Sequence, residues 1–163
     1  MLPIRPMLLL SATTLPAAAL AAVDSPAAYQ RFGAALDAAA QHGIRRIEEV
    51  EIDRRGRVEV EGITADGREL HLHFDADGSL LRERTERTEP ADDDAIDIDA
   101  MRRVLGWLQA QHPGTPEQLA ADDGLVEIEL RDADRREVEM TVDPQSLRVL
   151  GLEADGDLRD FMP

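Results

Sequence analysis

Apolar and polar positions follow two different periods along the chain, and they change over twice in the same order. From Ser25 to Gly43, Tyr29, Phe32, Leu36 and Ala39 recur at spacings of three and four, which predicts a helix with Ser25 as N-cap, Pro26 in its first turn and Gly43 at its end. The period then becomes two. Val50 and Ile52, Val58 and Val60, and Leu70, Leu72 and Phe74 alternate with polar residues, as in antiparallel strands with one buried face. A second helix is predicted from Asp97, with Ile98, Met101, Leu105 and Leu108 as its stripe and Trp107 beside it, stopped by Pro113-Gly114. Alternation returns at Val126, Ile128 and Leu130, then Val138, Met140 and Val142.

This recurrence is an internal repeat. Val58 to Asp75 matches Val126 to Asp143 without a gap, with eight of eighteen pairs identical and four more exchanging one core-forming residue for another. Each copy is expected to add a further strand, Ser79 to Arg84 and Leu147 to Leu152. The expected fold is therefore α+β, with two tandem repeats, each an N-terminal helix packed on a three- to four-stranded antiparallel sheet. The expected division is 1–21 signal peptide, 22–88 first repeat, 89–96 acidic linker and 97–163 second repeat. Two places resist it: Ile47 falls on the polar phase, which asks for a bulge or a later strand start, and Glu117 to Gly124 makes a poor first strand for the second copy.

Turn chemistry fixes the register of the first copy. If Arg54-Arg55-Gly56 and Ala65-Asp66-Gly67 are three-residue loops with a left-handed last residue, Ile52 faces Val58, Val50 faces Val60, Val60 faces Leu72 and Val58 faces Phe74. Every such pair is apolar. The same register sends Glu49, Glu51, Glu59, Glu61, His71 and His73 to the other, polar face. His73 then sits near Glu59 and His71 near Glu61, with the two histidines about 6.8 Å apart along the strand. Glu51 opposite Glu59 and Glu49 opposite Glu61 are like charges across strands, which calls for a compensating cation, arginine or basic partner.

The leader has Arg5, an apolar run from Met7 to Leu20 and Ala19-Leu20-Ala21 as an A-x-A cleavage site, so a periplasmic or secreted protein is expected. A membrane anchor is the alternative for this segment, but the run is short and interrupted by Ser11, Thr13, Thr14 and Pro16. No cysteine is present, so neither a disulfide nor lipid attachment at cysteine is available. Every basic residue is arginine; after Ala21, 17 arginines stand against 34 acids, a net charge of -17. Nucleic acid and membrane surfaces are disfavoured as partners; the acidity first serves solubility and self-repulsion, and its sharper reading is a basic protein partner or a cation. Ser25, Ser79 and Ser146 are each accounted for by a cap or turn, and neither a nucleophile elbow nor a phosphate loop occurs, so no enzyme and no cofactor are expected.

The helix ending at Gly43, the strand Glu48-Glu49-Val50-Glu51-Ile52, the Asp66-Gly67 turn and the ending Phe74-Asp75-Ala76-Asp77-Gly78-Ser79-Leu80-Leu81 resemble the PepSY domain family. The second copy departs from that pattern, with Arg135 in place of the turn glycine and Pro144-Gln145-Ser146 in place of the later one. The tandem order also looks like the beta-lactamase-inhibitor-like group, which stacks two helix-plus-sheet units to present a broad sheet surface. The resemblance implies an exported, non-catalytic binding module that restrains a peptidase or other envelope protein, and it carries over no catalytic residue. The partner-binding candidates are Glu49, Glu51, Glu59, Glu61, His71 and His73. The alternative is a periplasmic metal- or small-ligand sensor with His71 and His73 as ligands, since a His-x-His strand beside carboxylates suits zinc or copper. The histidine pair has no counterpart in the second copy, where Glu139 and Thr141 stand, so special activity is expected on the first copy.

Overall fold

A computed structural model describes residues 25–86, 94–111, 114–132 and 134–154. The expected signal peptide and most of the expected linker lie outside these residues. In chain order the elements are α1 (Ser25–Gln41), β1 (Ile44–Ile52), β2 (Val58–Thr64), β3 (Glu69–Phe74), β4 (Leu80–Glu86), β5 (Ile96–Asp97), α2 (Ile98–Gln111), β6 (Thr115–Asp122), β7 (Leu125–Arg131), β8 (Glu137–Val142) and β9 (Val149–Ala154).

The expectation of two tandem helix-plus-sheet repeats is overturned. The chain forms one antiparallel sheet of nine strands with two helices, mostly β, in the order β4-β3-β2-β1-β6-β7-β8-β9, with β5 paired to β1 off this path. The joint is β1 against β6, where Glu49, Val50 and Glu51 pair with Ala120, Leu119 and Gln118. A short sheet offers an open edge and half a core, whereas joining the two buries the edge and makes one core. Both helices contribute to that core. Helix α1 packs on β1, β2 and β6, and α2 on α1, β1 and β5. Phe32, Leu36, Ile47, Val50, Met101, Leu108, Leu119 and Ile128 belong to one buried cluster spanning both halves.

Within the first half the register is as the turns require. Ile52 pairs with Val58, Val50 with Val60, Val60 with Leu72 and Val58 with Phe74. Thr64 and Arg68 close the β2–β3 loop, and its last residue, Gly67, has φ 77°. The equivalent loop of β7–β8 closes through Asp132 and Arg136, but there Arg135 carries the left-handed backbone at φ 64°. A side chain in that region costs about 1 kcal/mol. Arg135→Gly is therefore expected to stabilise the fold by about 1 kcal/mol, read as a raised urea midpoint with an unchanged slope; an unchanged or lower midpoint would contradict it.

Ile47 reaches the core because β1 changes register twice, between Ile44 and Arg46 and between Ile47 and Glu49. The weak stretch after α2 is a full strand, β6, itself irregular between Pro116 and Gln118. Asp97 caps α2 as expected, accepting from the Asp99 amide at 2.9 Å. Ser25 does something else: its hydroxyl donates to the Gly114 carbonyl at 2.6 Å, tying the start of α1 to the approach to β6. The end of the expected linker is also built in. Ala95 and Ile96 are buried, Ile96 pairs with Ile47, and Arg46 donates to the Ala95 carbonyl. Tyr29 is buried on α1 with its hydroxyl unpartnered among the described residues, and burial pushes its pKa up to about 12. Removing an unmet polar atom is favourable, so Tyr29→Phe is expected to raise stability by about 1 kcal/mol in the same denaturation assay, and a loss of that size would show that the hydroxyl is satisfied.

Candidate functional site: the outer face of the sheet

Among the described residues the helices cover one face of the sheet and leave the other open. On the open face the pairing aligns side chains into rows that cross strand after strand. One row runs Arg82, His73, Glu59, Glu51, Gln118, Glu129, Glu139, Glu153. Beside it runs Arg84, His71, Glu61, Glu49, Ala120, Glu127, Thr141, Gly151. At about 4.8 Å per strand, each row spans roughly 34 Å. All six residues singled out from the sequence lie in these rows, and the structure adds Glu127, Glu129, Glu139 and Glu153. The repeat held a signal for three of the four: sixty-eight positions on from Glu59, Glu61 and His71 stand Glu127, Glu129 and Glu139.

The rows are not uniformly acidic in effect. Over β2, β3 and β4 the carboxylates have cationic neighbours. His71 Nδ1 lies 2.8 Å from Glu61 and its Nε2 2.8 Å from Glu69. Two acceptors on one imidazole are both satisfied only by the doubly protonated ring. Burial works against that charge, but Glu61 and Glu69 outweigh it and carry the His71 pKa upward. His73 Nδ1 lies 3.3 Å from Glu59, and Arg84 pairs with Glu86 at 2.6 Å.

Over β1, β6, β7 and β8 that compensation stops. Among the described residues, Glu49, Glu51, Glu127, Glu129 and Glu139 form no ion pair with an arginine or histidine; Arg131 pairs with Glu117 and Glu137 and acts on Glu129 only through longer-range charge. Partial burial, then the charges of Glu61, Glu51 and Glu59, hold the Glu49 carboxyl above the usual range, against a hydrogen bond with Gln118. Glu129 is raised likewise, by burial and then by Glu137, Glu139, Glu117 and Glu51. Between these glutamates the surface dips over Gln118, Ala120 and Thr141. The sheet centre and its second half are thus left with excess negative charge, while His71, Arg82 and Arg84 offset much of the charge of the first half.

The metal candidates are only partly brought together. Ligand atoms of Glu59, Glu61 and His71 lie within 4.8 Å of one another, as do those of Glu69, His71 and Glu86. Among the described residues His73 belongs to neither group, so these clusters hold His71 without His73. Among the described residues, no helix is long and apolar enough to cross a membrane.

No family model matches the chain, and no curated protein matches it. Among solved structures it is similar to that of a putative lipoprotein (CD1622) from Clostridium difficile 630, at 22% identity and a TM-score of 0.44, covering 75% of this chain and 90% of that one. Nothing about activity follows from a likeness of that size.

Proposed function

We propose that this is an exported, non-catalytic protein-binding module of PepSY-like character, whose outer sheet face holds a basic protein of the cell envelope. The observation that supports it is the run of glutamates at Glu49, Glu51, Glu127, Glu129 and Glu139, which form no ion pair among the described residues. Such an arrangement destabilises the free chain and is relieved by a complementary cationic surface. The resemblance to PepSY domains and to the beta-lactamase-inhibitor-like group makes a peptidase one such partner, and the leader supports export. An open, exposed sheet does not supply the enclosed pocket that acid-base chemistry needs.

The test is a glutamine triple variant, Glu51→Gln, Glu129→Gln and Glu139→Gln, compared with wild type for retention of basic envelope proteins as salt is raised. Wild type is expected to retain such proteins at low salt, and the variant to bind them at least tenfold more weakly. Equal retention by both proteins would sink the reading. The same substitutions carry an opposite expectation for stability. The folded pKa of Glu129 lies above its unfolded value, so the folded chain holds more protons in the window between them and stability falls as pH rises through it. Glu129→Gln alone is therefore expected to stabilise the fold by about 0.5 kcal/mol at pH 7. That gain should vanish below about pH 4, where the wild-type carboxylate is protonated in both states. Weaker binding together with higher stability separates a functional surface from general damage.

A second reading is favoured by the two three-residue groups that share His71. There a zinc or copper ion would replace the protons that His71 holds against Glu61 and Glu69. Calorimetric titration with zinc decides it: saturable heat lost in His71→Ala supports a metal sensor, and no heat removes it.

A further inference from the structure

The two ends of the sheet are unequal. Among the described residues strands β4 and β9 each pair on one side only, so each presents an open row of backbone groups there. β4, Leu80–Glu86, is guarded: Arg82, Glu83, Arg84 and Glu86 are four charges in seven residues. Charges of this density are how natural edges refuse further strands. β9, Val149–Ala154, carries one charge, Glu153, in the run Val-Leu-Gly-Leu-Glu-Ala. Val149 and Leu150 are 40% and 51% exposed at its start, while Leu152 and Ala154 pack partly against the core.

We propose that β9 accepts an extended segment of the partner as an additional strand, and that this segment alternates arginine or lysine with apolar residues. The proposal rests on the reading of the outer face as a docking surface for a basic protein. The chemistry follows from the pairing already present. An added strand would continue the row Glu129, Glu139, Glu153 on the outer face, so its residues on that side meet carboxylates that form no ion pair among the described residues. Its alternate residues would fall on the helix side, against Leu152 and Ala154. Backbone hydrogen bonds would supply affinity, and the alternation specificity.

Charge also decides between occupants and between edges. A second copy pairing β9 with β9 would bring two Glu153 edges, and two chains of net charge -16, together. At the other end Arg82 and Arg84 lie in the outer rows beside His73 and His71, and Arg84 pairs with Glu86, so β4 offers a basic strand no continuous row of carboxylates. The gradient across the face, from arginine at β4 to glutamate at β9, directs a cationic segment to one edge.

The probe is a blocked ten-residue peptide alternating arginine and valine, with a glutamate–valine peptide as control, titrated into the full-length chain. Calorimetry reads affinity and hydrogen exchange reads the β9 amides. The expected result is saturable binding of the arginine peptide alone and slowed exchange across Val149–Ala154. Glu153→Arg and Leu150→Lys should each weaken binding at least tenfold, and Glu86→Arg on β4 should leave it unchanged. Binding that is lost in the glutamine triple variant but leaves β9 exchange unslowed overturns strand addition and leaves face docking standing. No saturable binding of the arginine peptide overturns both.

Discussion

Leu119→Ala is expected to cost about 3 kcal/mol and to destabilise both halves of the molecule in one step. Leu119 is 1% exposed on β6, pairs with Val50 on β1 and with Ile128 on β7, and lies in the strand on which α1 packs. Truncation there opens a cavity at the joint rather than within either half, and interior packing closes such cavities only in part. The measurement is urea unfolding followed by far-ultraviolet dichroism and by fluorescence of Trp107, which sits on α2. Coincident curves for wild type and variant, shifted together, are the expected outcome. Two transitions, or a shift seen by one probe alone, would show that the halves fold as separate units.

The joint explains what could be foreseen in this chain and what could not. The registers of β1 to β3 followed from Gly56, Gly67 and the alternation of apolar residues, because hairpin pairing is determined by neighbours in sequence. The β1–β6 contact joins Val50 to Leu119, and no local pattern announces a partner that distant. β6 itself hides its strand character: its irregularity at Pro116 breaks the alternation, and Leu119 is its one fully buried large side chain. With that strand obscured, no local pattern shows that the two repeats share one sheet. The candidate site was legible in halves. Glu49, Glu51, Glu59, Glu61, His71 and His73 were placed on one face by register alone, but their extension over β7 and β8 needed the joint. Of the histidines, expected to mark the active region, His71 lies between Glu61 and Glu69 and offsets their charge. Where the repeat exchanges His71 for Glu139, the compensation is lost and the excess charge remains.

Gly62→Val is expected to cost about 3 kcal/mol, with Gly62→Ala about 2. Gly62 lies in β2 between Ile47 and Leu70, and its repeat counterpart is the buried Leu130, so side-chain volume is acceptable at the equivalent place. The difference is the pair of irregularities in β1. They carry the Arg46 carbonyl oxygen into the space where a Cβ on residue 62 would stand, with Ile44 Cγ2 2.8 Å from the same point. A side chain such as Ile44 can turn aside, but a strand carbonyl cannot move without breaking the pairing that lets Ile47 reach the core. Ile44→Ala should therefore fail to rescue Gly62→Ala in a double-mutant cycle, the two costs adding to within about 0.5 kcal/mol. Rescue by Ile44→Ala would place the conflict in the side chain instead, and a Gly62→Val variant as stable as wild type would show that β1 tolerates a regular register.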